Sequence, residues 1–199
     1  HTILDIGCST GALGNAILEK YPNARYTGID INHKSIQLGR KKYKNLELIK
    51  GEYPLAVNRK KYDVVIVNNL FEQIEKWKEF LVNLKNTSNK YLIIGCCLRD
   101  EGTTVIDKDL SYSYYFETGI RVHKIVHNIY ELLNFCCTDE IGAERIEFFG
   151  YHIKDKKYIP GDFKPLPTHK QIRGNLMIKF KDSISSSKGS FHYKKNLNN

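Results

Sequence analysis

No stretch of this chain stays apolar for long. The most extended run, Tyr91 to Leu98, is interrupted at Gly95 and falls far short of the roughly 20 residues a membrane-crossing helix needs, so no helical membrane span is expected. Cysteine is present but not organised. Two of the five occur as the adjacent pair Cys96-Cys97, two as Cys136-Cys137, and one stands alone at Cys8. This is neither the spaced framework of a secreted domain nor a CxxC metal knuckle, and it reads as reduced thiols in a cytoplasmic protein. A signal peptide is missing as well: the chain starts at His1, without methionine, and runs straight into an apolar segment, which suggests a domain incomplete at its amino end. Internal repeats are absent, and the only low-complexity stretch is a serine-rich tail.

What is present is enough for one core. The 199 residues are 41% hydrophobic and 12% aromatic, which excludes disorder of the whole chain. The net charge of +9 is unevenly spread: residues 1–153 carry 20 basic and 19 acidic groups, whereas residues 154–199 carry 11 and 3. A basic segment of this kind attracts RNA or other polyanions. Lysine outnumbers arginine 24 to 7, however, and lysine is the weaker choice for forked phosphate recognition, so a solvated face is the simpler expectation. Residues 1–181 are expected to form one domain, and the Asp182–Asn199 stretch, with Ser185-Ser186-Ser187 and Lys194-Lys195, a flexible basic and serine-rich tail.

Thr2 to Ile6 is a short apolar run that ends at Gly7, and Ala12, Leu13, Ala16 and Ile17 then follow helical spacing. Arg25 to Ile31 reads as a second strand; Ile36, Gly39 and Tyr43 fall on one helix face; Leu46 to Ile49 reads as a third strand. Tyr62 to Val67 is a β-branched run typical of a strand buried on both faces. Leu70, Ile74, Trp77, Leu81 and Leu84 predict a helix, and Tyr91 to Cys96 a fifth strand. The alternation predicts an α/β fold: a Rossmann-like, mostly parallel, seven-stranded sheet with helices on both faces. Arg145 to Ile153 and Asn175 to Phe180 predict a carboxyl-terminal antiparallel hairpin closing the sheet edge. Between them and the fifth strand, Thr103 to Gly119 is polar and aromatic and is expected to form a lid. A helix is expected behind it, with Val122, Ile125, Val126, Ile129 and Leu133 on one face.

The segment Asp5-Ile6-Gly7-Cys8-Ser9-Thr10-Gly11 lies at a strand's carboxyl end and a helix's start, where open α/β sheets bind ligands. Gly7 and Gly11 are expected to let a ligand approach the backbone, and amides at the helix start favour a negative group. Asp5 would repel a pyrophosphate but suits a ligand carrying an ammonium group. Asp30 closes the second strand, where a carboxylate accepts both hydrogen bonds of a ribose diol, and Ile31 can pack against an adenine.

This loop resembles motif I of the class I S-adenosylmethionine-dependent methyltransferases, an acidic residue followed by G-x-G-x-G, with Ser9 in place of the middle glycine. The resemblance covers about residues 2–97 and includes Asp30, Gly51-Glu52, and Val67 to Ile74, which is similar to a segment that often ends in Leu-Glu-His. It implies S-adenosylmethionine as cofactor. Asp5, Gly7 and Gly11 would surround its methionine part, Cys8, Ser9 and Thr10 would form the turn, Asp30 would hold the ribose, Ile31 and Glu52 the adenine, and Asn68 would lie beside the sulfonium. Each residue has an ordinary alternative role as a cap, turn or surface acid; the ordered set does not.

Gly7-Cys8-Ser9-Thr10-Gly11 also fits the G-x-S-x-G elbow of serine hydrolases, with His123, His127, His152 and His169 as available partners. That reading leaves Asp5 and Asp30 unexplained, and only six residues precede Gly7 for an oxyanion loop. A nicotinamide-dinucleotide loop is excluded because G-x-G-x-x-G is missing. A methyltransferase-like scaffold without activity is a third possibility.

Methyl transfer needs in-line positioning and exclusion of water more than a fixed catalytic residue, but a hydroxyl acceptor needs a base. The family's occasional histidine is Gln73 here, so His123 and His127 are the candidates, with Asn69, Tyr112 and Tyr115 as acceptor contacts and Tyr114 and Phe116 completing an aromatic wall. The N-P-P-Y tetrapeptide of base and glutamine N-methyltransferases is absent where Asn68-Asn69-Leu70-Phe71 stands, and no acid cluster there suggests a metal. The expected reaction is O-methylation of a small molecule or glycan precursor, with RNA as the alternative acceptor.

Overall fold

The computed structural model describes residues 1–107, 112–115, 120–152 and 171–180. Thr2–Ile6 (β1) pairs in parallel with Arg25–Asp30 (β2) on one side and Tyr62–Asn68 (β4) on the other. Glu47–Lys50 (β3) extends the sheet beyond β2, and Ser88–Arg99 (β5) extends it beyond β4, both in parallel. Gln171–Phe180 (β10) then runs antiparallel between β5 and Ala143–His152 (β9). The order is β3-β2-β1-β4-β5-β10-β9, the expected mostly parallel seven-stranded path with its closing hairpin. A two-residue strand, His127–Asn128 (β8), pairs beside it with Leu98 and Arg99 of β5.

Strand alternation divides the core into two. Leu4, Ile6, Val65 and Val67 face a larger cluster that includes Leu81 and Leu84 of Trp77–Thr87 (α3) and Leu132 and Leu133 of Ile129–Cys136 (α4). Ile3, Ile66, Tyr26 and Leu48 face the opposite cluster, with Ile17 of Ala12–Lys20 (α1) and Ile36 of His33–Lys42 (α2). Helices therefore cover both faces, which is why β1 and β4 are apolar almost without interruption. Each fully buried leucine contributes roughly 1.5–3 kcal/mol. Asn32 caps α2 by accepting the Ser35 N–H, and Asn128 caps α4 by accepting those of Tyr130 and Glu131. Among the described residues no helix is long and apolar enough to cross a membrane.

Two predicted helices differ from the structure. Leu70 and Ile74 are not on α3: Phe71–Gln73 forms a 3₁₀ turn, Ile74 is extended, and the helix starts at Trp77. The Ile125 N–H donates to the Glu72 carbonyl at 2.6 Å, so part of this backbone is held by another chain segment instead of by helical bonds. That segment is itself not the expected helix. Ile120–His123 (β7) pairs antiparallel with Tyr112–Tyr115 (β6), Val126 exchanges both backbone hydrogen bonds with Val105, and helix begins only after the Asn128 cap. Val122, Ile125 and Val126 are β-branched and fit strand backbone, so their helical spacing is coincidental. The tail, residues 182–199, lies outside the described residues, as do His169, Phe116 and most of the basic segment.

Candidate active site

The turn after β1 is fixed by left-handed backbone at Gly7 (φ 78°), Ser9 (φ 51°) and Gly11 (φ 80°). The N–H groups of Gly7 and Cys8 both donate to the Ile29 carbonyl, at 2.8 and 3.1 Å, tying the turn to β2. A Cβ at Gly7 would lie 3.2 Å from Leu70, and one at Gly11 would lie 2.9 Å from both Leu46 and Leu48. Both glycines are therefore required by backbone conformation and by close packing of the protein on itself.

Asp5 lies beneath the turn, only 2% exposed, and its Oδ2 accepts the Tyr26 hydroxyl at 2.6 Å. Burial pushes its pKa up to about 6, against the Tyr26 hydrogen bond, with nearby Asp30 adding to the rise. A buried carboxylate under this strain gains most from a cation placed beside it. Cys8 is pushed up to about 12 by burial and the two aspartates, so its thiol stays protonated.

At the end of β2, Asp30 accepts the Ser9 N–H on Oδ2 at 2.8 Å and the Asn32 N–H on Oδ1 at 2.7 Å. A carboxylate has about four acceptor positions, so two remain for a ligand. Ile31 is 72% exposed, and Leu55, in the 3₁₀ turn Leu55–Val57 that follows β3, is 80% exposed. Such open apolar side chains at the sheet's carboxyl edge suit a flat aromatic base. Glu52 is exposed, its carbonyl accepting the Ala56 N–H. Thr10 is half-buried between the turn and α1.

Asn68 ends β4, exposed, with its side chain against Gly95 of β5. Asn69 follows in left-handed conformation (φ 56°) and opens onto a small polar cavity of about 160 Å³. Glu72, Gln73, Val122, His123, Lys124 and Arg173 form the rest of its described wall. Glu72 is buried, with Lys124 Nζ 3.0 Å and an Arg173 nitrogen 3.8 Å from its Oε1. His123 and His127 part company here. His123 lines the cavity, its Nδ1 4.0 Å from Glu75 Oε1. His127 is fully buried, stacked on Phe71 at 4.5 Å and edge-on to Trp77, and burial lowers its pKa to about 4. Tyr112 lies in register opposite His123 on β6; the side chains of Tyr112 and Tyr115 lie outside the described residues. A larger apolar hollow, about 490 Å³, lies at the opposite sheet edge around His1, Ile3 and Tyr21, away from the loop.

Sequence reading missed Tyr26 and the Glu72 cluster. Tyr26 was accessible: Gly28 pairs with Asp5, and two residues back on the same strand face is Tyr26. The Glu72 cluster joins side chains from three distant segments and left no local signal.

A family model described as a methyltransferase domain matches residues 4–89. Malonyl-[acyl-carrier protein] O-methyltransferase of Acetivibrio thermocellus is 31% identical over 164 residues, 73% of this chain and 54% of that protein. The second such enzyme of Ilyobacter polytropus is 29% identical over 142 residues, 66% of this chain and 55% of that protein. The O-methyltransferase of a Brevibacillus brevis trans-AT polyketide synthase, solved with S-adenosyl-L-homocysteine, shares the fold: TM-score 0.65 at 12% identity, over 93% of this chain and 68% of that one. The match places a methyltransferase domain at residues 4–89, and the fold around it is shared with the solved O-methyltransferase. The chain spans about half the length of the curated relatives it matches. Ser9, the residue on which a serine-hydrolase reading would rest, gives its backbone N–H to Asp30.

Proposed function

We propose that this methyltransferase domain binds S-adenosylmethionine and methylates an oxygen atom of a small molecule, glycan precursors included. The observation that carries this is the Asp30 carboxylate, bound to the Ser9 amide at one end of the turn while Asp5 lies buried under the other. The donor set fits the cofactor. Asp5 would take its ammonium group beside Gly7 and Gly11, the Cys8–Thr10 turn would enclose the methionine part, Asp30 would accept the ribose hydroxyls, and Ile31 and Glu52 would meet the adenine. Asn68 would border the sulfonium, with Asn69, Tyr112 and Tyr115 toward the acceptor. The cofactor supplies an electrophilic methyl group; the protein's part is to orient the acceptor and exclude water. The likeness of this chain to the O-methyltransferases of Acetivibrio and Ilyobacter supports oxygen as the target.

The whole domain is read as residues 1–181, working in the cytoplasm. An RNA acceptor rests only on the basic segment and gains no support from a structural observation. The test is turnover: S-adenosylhomocysteine released only when small hydroxyl or carboxyl compounds are added, with the product gaining one methyl group. Release that depends on RNA instead would overturn the choice of acceptor.

A further inference from the structure

Two residues that line the cavity beside Asn69 each carry an unanswered polar atom. Among the described residues, Glu72 Oε2 and His123 Nε2 have no hydrogen-bond partner and are shut off from solvent. Buried polar atoms are nearly always paired, and each one left over is costly. Glu72 is not a stray acid: its other oxygen is engaged by Lys124 and lies near Arg173, which holds the carboxylate in place. His123 Nδ1 lies 4.0 Å from Glu75 Oε1, a charge neighbour at longer range. Glu72 Oε2 accepts a proton donor, as does His123 Nε2 when the ring's proton is on Nδ1, and both belong to residues lining one small cavity next to the strand end that carries Asn68 and Asn69.

We propose that this cavity is the acceptor subsite and that it takes an uncharged compound with two neighbouring hydroxyl groups, a compact diol or catechol. One hydroxyl donates to Glu72 Oε2 and the other to His123 Nε2, which is the catalytic base. This rests on the methyltransferase reading above. As the acceptor O–H bond breaks, its proton passes to His123 Nε2 and its electron pair stays on oxygen. That oxygen bonds the methyl carbon while the carbon–sulfur bond gives its pair to sulfur. Glu75 is a positioning residue: its carboxylate, 4.0 Å from Nδ1, favours the imidazolium that results. The other charged groups lining the same cavity are Lys124 from the segment after β7, Glu72 from the 3₁₀ turn and Arg173 from β10. An acceptor carboxylate fits worse, because it brings no donor to either open atom and places its charge beside Glu72 Oε2.

The experiment has a binding arm and a turnover arm. Calorimetry first establishes binding of S-adenosylhomocysteine to the wild type, His123→Gln, Glu72→Gln and Glu75→Gln, with thermal unfolding confirming that each is folded. Catechol and methyl α-glucoside are then titrated into these complexes, with benzoate and malonyl-N-acetylcysteamine as carboxylates. The same compounds are offered for methyl transfer. The proposal expects a diol to bind and be methylated. Its affinity should fall about tenfold in Glu72→Gln, and turnover about 10²-fold in His123→Gln, with cofactor affinity kept in both. In Glu75→Gln the acid limb of the rate profile should move to lower pH, a shift that a merely structural role for Glu75 does not produce. Cofactor binding without binding or methylation of either diol overturns the proposal, as does transfer to the carboxylates that His123→Gln leaves intact. Failure to bind the cofactor at all overturns the methyltransferase reading beneath it.

Discussion

Ser9 donates its backbone N–H to Asp30 Oδ2 at 2.8 Å, joining the turn after β1 to the end of β2. Asp30 therefore supports the loop as well as presenting free acceptor positions. Its Oδ1 is held by the Asn32 N–H, and Asn32 in turn caps α2. Asp30→Ala is expected to lower stability by about 1–3 kcal/mol, as two amides lose a charged partner, measured by urea unfolding. Asp30→Asn, which keeps one oxygen acceptor, should lose less.

Ile31 and Leu55 separate binding from folding. Both are largely exposed, so truncating either to alanine should leave unfolding within about 0.5 kcal/mol of the wild type. If they pack on an adenine, each change should weaken cofactor binding by roughly fivefold to tenfold, corresponding to loss of about 1 kcal/mol of apolar contact. Unchanged affinity in calorimetry would place the adenine elsewhere.

Asp5 is the domain's strained acid. With its pKa raised from 3.8 to about 6 in the fold, the folded state binds the proton more tightly than the unfolded chain. Its contribution is fully favourable below about pH 3.8 and is lost as pH rises through about 6, a difference of roughly 3 kcal/mol. Asp5→Asn should therefore raise the thermal midpoint at pH 7–8, should show little effect near pH 3.5, and should abolish cofactor binding. A destabilised variant at pH 8 would contradict this account.

His127 imposes the opposite slope. Burial against Phe71 and Trp77 lowers its pKa from 6.5 to about 4, so its contribution is present above about pH 6.5 and disappears as pH falls through about 4, again by roughly 3 kcal/mol. Between pH 4 and 6 the slopes from Asp5 and His127 nearly cancel. His127→Leu should remove one of them, leaving a domain whose stability falls with rising pH in that window. Chemical unfolding at half-unit pH intervals would show it.

The parallel half of the sheet was legible because β4 is a continuous β-branched run and β1 a short, mostly apolar one, both buried on two faces. The loop was legible because glycine, acid and strand end fall in one short segment. Residues 120–128 were misread because Val122, Ile125 and Val126 fit both a helical stripe and strand backbone, and spacing alone cannot separate them. What decided their conformation was long-range pairing with β6, Val105 and the end of β5. The Glu72 cavity was invisible for the same reason: Arg173 reaches Glu72 only once β10 has joined the sheet, and Lys124 only once the segment after β7 has bonded to the 3₁₀ turn. The sequence placed His123 and His127 together as equivalent bases, and burial separates them.

The most direct test is calorimetric titration of S-adenosylmethionine and S-adenosylhomocysteine into the wild type and Asp30→Ala side by side. The account predicts micromolar binding to the wild type and a loss of at least about tenfold in the folded variant, since the ribose hydroxyls lose a charged acceptor. A folded wild type that binds neither ligand, or an Asp30→Ala protein that binds as tightly as the wild type, would contradict it.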